Sequence, residues 1–218
     1  MRATLAVMEK DLRLAWRDRA GWLTAVSFAA ISVLVYSFAL DLAARDVRPL
    51  LPGLLWVTFI FAGIVASGAS FQTEGERGTL DAQLLAPVAR TALYAGKLLA
   101  NLLALLVVEV ATLGLATILF DESLLTLELG GIVLLGTVGY VSLVTVLATL
   151  GSRVRARGVL MPVLALPLLV PLLIAAVRAT GGALGEPTGD APWLLLLAVF
   201  AVWAAAGSAL LFPLAVER

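Results

Sequence analysis

A chain of 218 residues with 61% hydrophobic residues, 14% charged residues and zero formal net charge is too poor in charge for a soluble domain, where about a quarter of residues are charged. It contains no cysteine and no histidine, which excludes a disulfide framework, thiol chemistry, a zinc site and histidine-ligated haem built from this polypeptide alone. Met1, Met8 and Met161 are the only soft ligands left, and the mean hydropathy of +1.05 places the chain among helical membrane proteins.

Residues 1–19 come first. Leu5, Met8, Leu12, Ala15 and Trp16 recur at helical spacing, while Lys10, Arg13, Arg17 and Asp18 fall mostly on other faces, the pattern of an amphipathic helix lying in the headgroup layer. Glu9 and Arg13 stand at i,i+4, a favourable helical pair. Trp16 and Trp22 sit where interfacial aromatics belong. The acidic residues of this arm and the length of the apolar run behind it argue for a retained helix rather than a cleaved signal peptide.

Six apolar runs follow, near 21–40, 51–70, 93–120, 129–150, 159–177 and 192–216. Each matches the roughly 20 helical residues needed to cross about 30 Å of hydrocarbon, and backbone satisfaction in lipid leaves helices as the reading. The six runs occupy nearly the whole chain, so the expectation is one all-α transmembrane domain over 1–218. Of the fifteen Lys and Arg residues, only Arg45, Arg48 and Arg178 fall on one side. The excess on the other side predicts cytoplasmic termini. Arg153, Arg155 and Arg157 belong to that inner set as headgroup anchors, whereas Arg178 snorkels outward.

The one extended polar segment, Phe71 to Lys97, separates the second and third spans. Thr73 and Glu76 have capping-box spacing. From Thr79 onward Leu80, Leu84 and Leu85 share one face of a short helix, with Asp81 near its amino end, where the helix dipole favours a carboxylate. Pro87 stops it. A delimited amphipathic knob on the inner side, within a docking loop over 71–92, is suited to pass force between a soluble protein and the spans.

Inside the third span, Glu109 interrupts LLVVEVATL. A carboxylate at that depth costs several kcal/mol unless paired, hydrated or protonated. It therefore marks an intramembrane polar site facing the bundle or a seam between two copies. Pro162, Pro167 and Pro171 punctuate the fifth span and either shape or kink it. Gly63, Ser67, Ala206, Gly207 and Ser208 permit close helix approach.

The loop resembles a segment of ABC-2 type export permeases, E-x-x-x-G-T-L-[DE]-x-L-L-x-x-P followed by a basic residue and a third span. Glu74, Gly78, Thr79, Leu80, Asp81, Leu84, Leu85 and Pro87 match it, with one extra residue between Asp81 and Leu84, and Arg90 and Lys97 follow. The arm MEKDLRLAWRDR, the Pro52-Gly53-Leu54-Leu55-Trp56 opening of the second span and the Arg- and Pro-bearing fifth span extend the resemblance to the CcmB family of cytochrome c maturation permeases.

That resemblance implies a non-catalytic half-transporter of the bacterial inner membrane, with the segment from Glu74 to Pro87 docking a separate CcmA-like ATPase. It also implies a second copy of the chain, further cytochrome c maturation membrane subunits and a periplasmic haem chaperone. ATP is used through the partner, and haem is the species moved or handled. No cofactor is bound directly, the bilayer is the solvent, and nucleic acid has no place among the partners. The chain has no GxxxxGK[ST] phosphate loop, in keeping with ATP hydrolysis elsewhere. Having no His or Cys to ligate haem, it leans toward release of a loaded chaperone rather than haem passage. Three other readings stand beside it: a generic ABC-2 exporter of drug, lipid or glycan, an intramembrane enzyme using Glu109, and a proton-coupled carrier built on Glu109. The enzyme is disfavoured because no second carboxylate lies within a turn of Glu109.

Overall fold

Long apolar runs must satisfy their backbone groups internally, and this chain does so with helices. The computed structural model describes residues 2–17, 19–40, 46–77, 89–151 and 157–216. Among these residues it contains seven helices: α1 (Arg2–Arg17), α2 (Arg19–Ala39), α3 (Leu51–Arg77), α4 (Arg90–Phe120), α5 (Leu127–Gly151), α6 (Arg157–Ala183) and α7 (Trp193–Val216). No strand occurs among the described residues. Among the described residues, five stretches are long and apolar enough to cross a membrane: Gly21–Ala39, Arg90–Phe120, Leu127–Leu147, Leu166–Ala183 and Trp193–Pro213. In α3 the described apolar stretch, Leu51–Ala66, is shorter.

Each expected span falls largely within one of these helices, but two details differ. Helix α3 continues to Arg77 and α4 already begins at Arg90, so the docking loop expected over 71–92 narrows at both ends. Thr73 and Glu76 lie inside α3. They do not form a capping box, because an N-cap residue has non-helical backbone angles. Pro162, Pro167 and Pro171 lie within the unbroken run of α6, so they do not end the helix.

Helix α5 is the hub. It packs most extensively on α7 and α6 and also against α4. Two clusters fill the bundle. In one, Trp56 and Phe59 of α3, Leu113 and Phe120 of α4, Ile132 and Val133 of α5, Leu172 of α6 and Leu197 of α7 pack together. The other joins Ala25 and Ala29 of α2 to Ile60, Leu105, Val108, Tyr140, Val144 and Leu169.

Glycine permits the tightest approaches. A Cβ on Gly136 would come within 2.0 Å of the Trp56 ring, and one on Gly63 within 2.7 Å of Tyr140. Gly63 therefore serves packing inside the bundle, whereas a Cβ on Gly207 would meet open space. Trp56 Nε1 donates to Thr180 Oγ1 at 2.9 Å, tying α3 to α6 through a buried polar pair.

At the end carrying the short 46–50 and 121–126 connections, Arg48 Nε lies 2.5 Å from Glu122 Oε1. That contact raises the Arg48 guanidinium above its ordinary value, chiefly through the hydrogen bond to Glu122. Arg178 stacks at 6.0 Å over Trp193, whose indole nitrogen donates to the Thr188 carbonyl at 2.8 Å. This is a cation held over an aromatic face.

Candidate functional site

Among the described residues the buried charged side chains, Lys97 and Glu109, both lie on helix α4, at two depths. Near its start, Lys97 is 3% exposed, and its Nζ lies 3.7 Å from Asp11 Oδ2 of α1. The other Asp11 oxygen is 2.8 Å from Lys10 Nζ, so one carboxylate stands between two ammonium groups. Gly96 makes this possible. A Cβ there would meet Val7 at 2.6 Å and the Thr4 carbonyl at 2.9 Å, so α1 lies directly on the α4 backbone. Val7 also packs against the cluster of Leu93, Tyr94, Val146 and Phe212, and the Tyr94 hydroxyl faces Ser142 of α5 and Ser208 of α7.

The face of α1 that meets the bundle is therefore Thr4, Val7 and Asp11, spaced i, i+3 and i+7. The expected apolar face is divided differently: Leu5 and Trp16 are exposed and available to the bilayer. Glu9 and Arg13 form their ion pair on the solvent side. Met8, Leu12 and Ala15 of the expected stripe are half-buried, so sequence periodicity identified the helix and part of its packing face but not Thr4 and Asp11, which do not register as apolar.

Twelve residues further along α4 (109 − 97), about 18 Å at 1.5 Å per residue, Glu109 is 1% exposed. It faces the bundle, with its Oε2 2.7 Å from Thr137 Oγ1 of α5. Thr137 Oγ1 is also 2.7 Å from the Val133 carbonyl one turn earlier. One turn beyond Glu109, Thr112 Oγ1 donates to the Val108 carbonyl at 2.7 Å and satisfies itself within α4. Glu109 was legible in the sequence as a misfit in an apolar run. Thr137 was not, because a lone threonine in a span more often bonds its own backbone.

Of the docking residues expected from sequence, only Glu74 falls within the described residues. Glu74 belongs to the last turns of α3. Gly78, Thr79, Leu80, Asp81, Leu84, Leu85 and Pro87 lie outside the described residues. Among the described residues, no group of three or more His, Cys, Asp or Glu side chains is placed to hold a metal ion.

Membrane-length helices packed around an apolar interior that holds a few buried polar side chains define a polytopic helical membrane protein. A sequence model of the family described as "CcmB protein" matches residues 2–218, and the chain belongs to that family. Among its relatives, heme exporter protein B of Bradyrhizobium diazoefficiens is 31% identical over 204 residues, covering 91% of this chain and 90% of that protein. The protein of the same name in Pseudomonas aeruginosa is 30% identical over 207 residues, 90% of this chain and 89% of the relative. That of Rhodobacter capsulatus is 31% identical over 172 residues, 78% of each.

Proposed function

We propose that this chain is the membrane-spanning permease subunit of an ABC transporter complex in cytochrome c biogenesis. In this reading it couples ATP hydrolysis by a CcmA-like partner to haem delivery or to release of a haem-loaded periplasmic chaperone. The observation that carries the reading is the match to the CcmB family over residues 2–218, together with relatives named heme exporter protein B at about the same length. The chain crosses the bacterial inner membrane six times, with both termini in the cytoplasm, as the bias of Lys and Arg supports. It works as a pair of copies alongside other maturation subunits.

Force enters through the segment following α3, where Leu80, Leu84 and Leu85 form the apolar face of a docking knob, Asp81 favours its amino end and Pro87 ends it. Glu74, Gly78 and Thr79 complete the motif. The segment leads directly into α4, the helix on which α1 lies and which holds Glu109 against α5. A push on the knob thus has a short mechanical path into the bundle. A sequence without histidine or cysteine offers haem no axial imidazole or thiolate, which favours the release of a loaded chaperone.

Purification of the complex in mild detergent tests the docking step. The ATPase subunit is expected to co-elute with the parent chain and to be lost with Leu80→Glu or Leu84→Glu. Undiminished co-elution with both variants would overturn the assignment of the knob.

A further inference from the structure

We infer that Glu109 is held as the neutral carboxylic acid, its Oε2–H donating to Thr137 Oγ1 while the Thr137 hydrogen goes to the Val133 carbonyl. The resulting two-bond relay positions α4 against α5. Hydrogen bookkeeping carries this inference. Thr137 Oγ1 lies 2.7 Å from both Glu109 Oε2 and the Val133 carbonyl oxygen, yet a hydroxyl has one hydrogen to give and lone pairs to receive. A carboxylate and a backbone carbonyl are both acceptors only. With Glu109 ionised, one of the two short oxygen contacts would lack a proton and bring two acceptors together in a buried site. With Glu109 protonated, each contact holds one hydrogen.

The surroundings agree. Of the helices packed against α4, α2 over Gly21–Ala39, α3 over Leu51–Ala66, α5 over Leu129–Leu147 and α7 over Trp193–Pro213 contain no Asp, Glu, Lys or Arg. On α4 itself the other charged residues are Arg90 and Lys97, several turns away. Helix α1 brings Lys10 and Asp11 to the level of Lys97. Arg178 of α6 is engaged with Trp193. No cation stands at the depth of Glu109 among these elements, and its observed partner is a hydroxyl. A carboxylate isolated in that way is expected to shed its charge by keeping its proton.

Glu109 is thus a positioning residue, and its role does not depend on how the ATPase docks. The test uses the full-length protein in lipid nanodiscs. At neutral pH its infrared spectrum is expected to contain the carbonyl band of a protonated carboxyl group, and that band should vanish in Glu109→Gln. The glutamine amide can still donate to Thr137, so this variant should keep the parent's melting temperature and its complementation of cytochrome c maturation. Thr137→Val and Glu109→Leu should each lower the melting temperature, and the double variant should lose no more than the worse single change. Identical carboxyl bands in parent and Glu109→Gln would overturn the inference. So would strictly additive losses, or a Glu109→Gln chain that folds but no longer complements. If Glu109→Leu does not fold, the infrared comparison alone still decides.

Discussion

Lys97 and Glu109 are carried on the same helix and are about equally buried, at 3% and 1% exposure, yet the fold treats them in opposite ways. Lys97 lies near the start of α4, where an amphipathic helix can reach it, and the fold supplies the Asp11 carboxylate at 3.7 Å. Glu109 lies where every neighbouring segment is hydrocarbon, and the fold supplies the Thr137 hydroxyl. Near the start of α4, within reach of α1, a buried charge is matched by an opposite charge. Deep in the bundle a counter-ion would itself need desolvating, at a cost of several kcal/mol per ion, and neutralisation is the lower-energy solution.

The sharpest way to break this contrast is to force a cationic side chain into the deep site. Glu109→Lys should cost about 3 kcal/mol or more, read as loss of the monodisperse folded protein in mild detergent. A lysine variant as stable as the parent would mean that the site is hydrated and that the two depths are equivalent. At the shallow site, Lys97→Met should cost less, roughly 1–2 kcal/mol, because Asp11 keeps Lys10 as a partner. That loss should change little as salt rises, since a pair this buried is screened far less than an exposed one. Neutral changes at Glu109 should be indifferent to salt. Thermal melts of the two variants across an ionic-strength series check both expectations.

The smallest effect belongs to the Arg48–Glu122 pair at the opposite end of the bundle, whose arginine is open to solvent. Arg48→Ala should leave the melting temperature within experimental scatter, because an exposed ion pair contributes little. The raised guanidinium value of Arg48 means that whatever this pair contributes is present at neutral pH. On the arginine side it is lost as pH rises into the strongly alkaline range where the guanidinium itself titrates. A clear destabilisation on Arg48→Ala at neutral pH would show that the loops at this end are held together by charge rather than by the apolar cluster beneath them.

Helix positions were legible without any structure, because the i to i−4 bonds that satisfy a membrane helix are local and apolar run length alone specifies them. The position of Glu109 was legible for the same reason: a carboxyl group in LLVVEVATL is out of place whatever surrounds it. The extension of α3 through Thr73 and Glu76 was not, since the polar residues that suggested a new start are also tolerated in the last turns of a helix leaving the bilayer. The partners lay beyond reach altogether. That α1 would rest on α4 depends on Gly96 leaving room for Val7, and that Thr137 would meet Glu109 depends on the rotation of α5. Rotation is set by side chains filling holes on neighbouring helices, as Trp56 does over Gly136. Such fits link residues far apart along the chain, so hydrophobic pattern determined which segments are helices, and close packing decided which face of each one meets another.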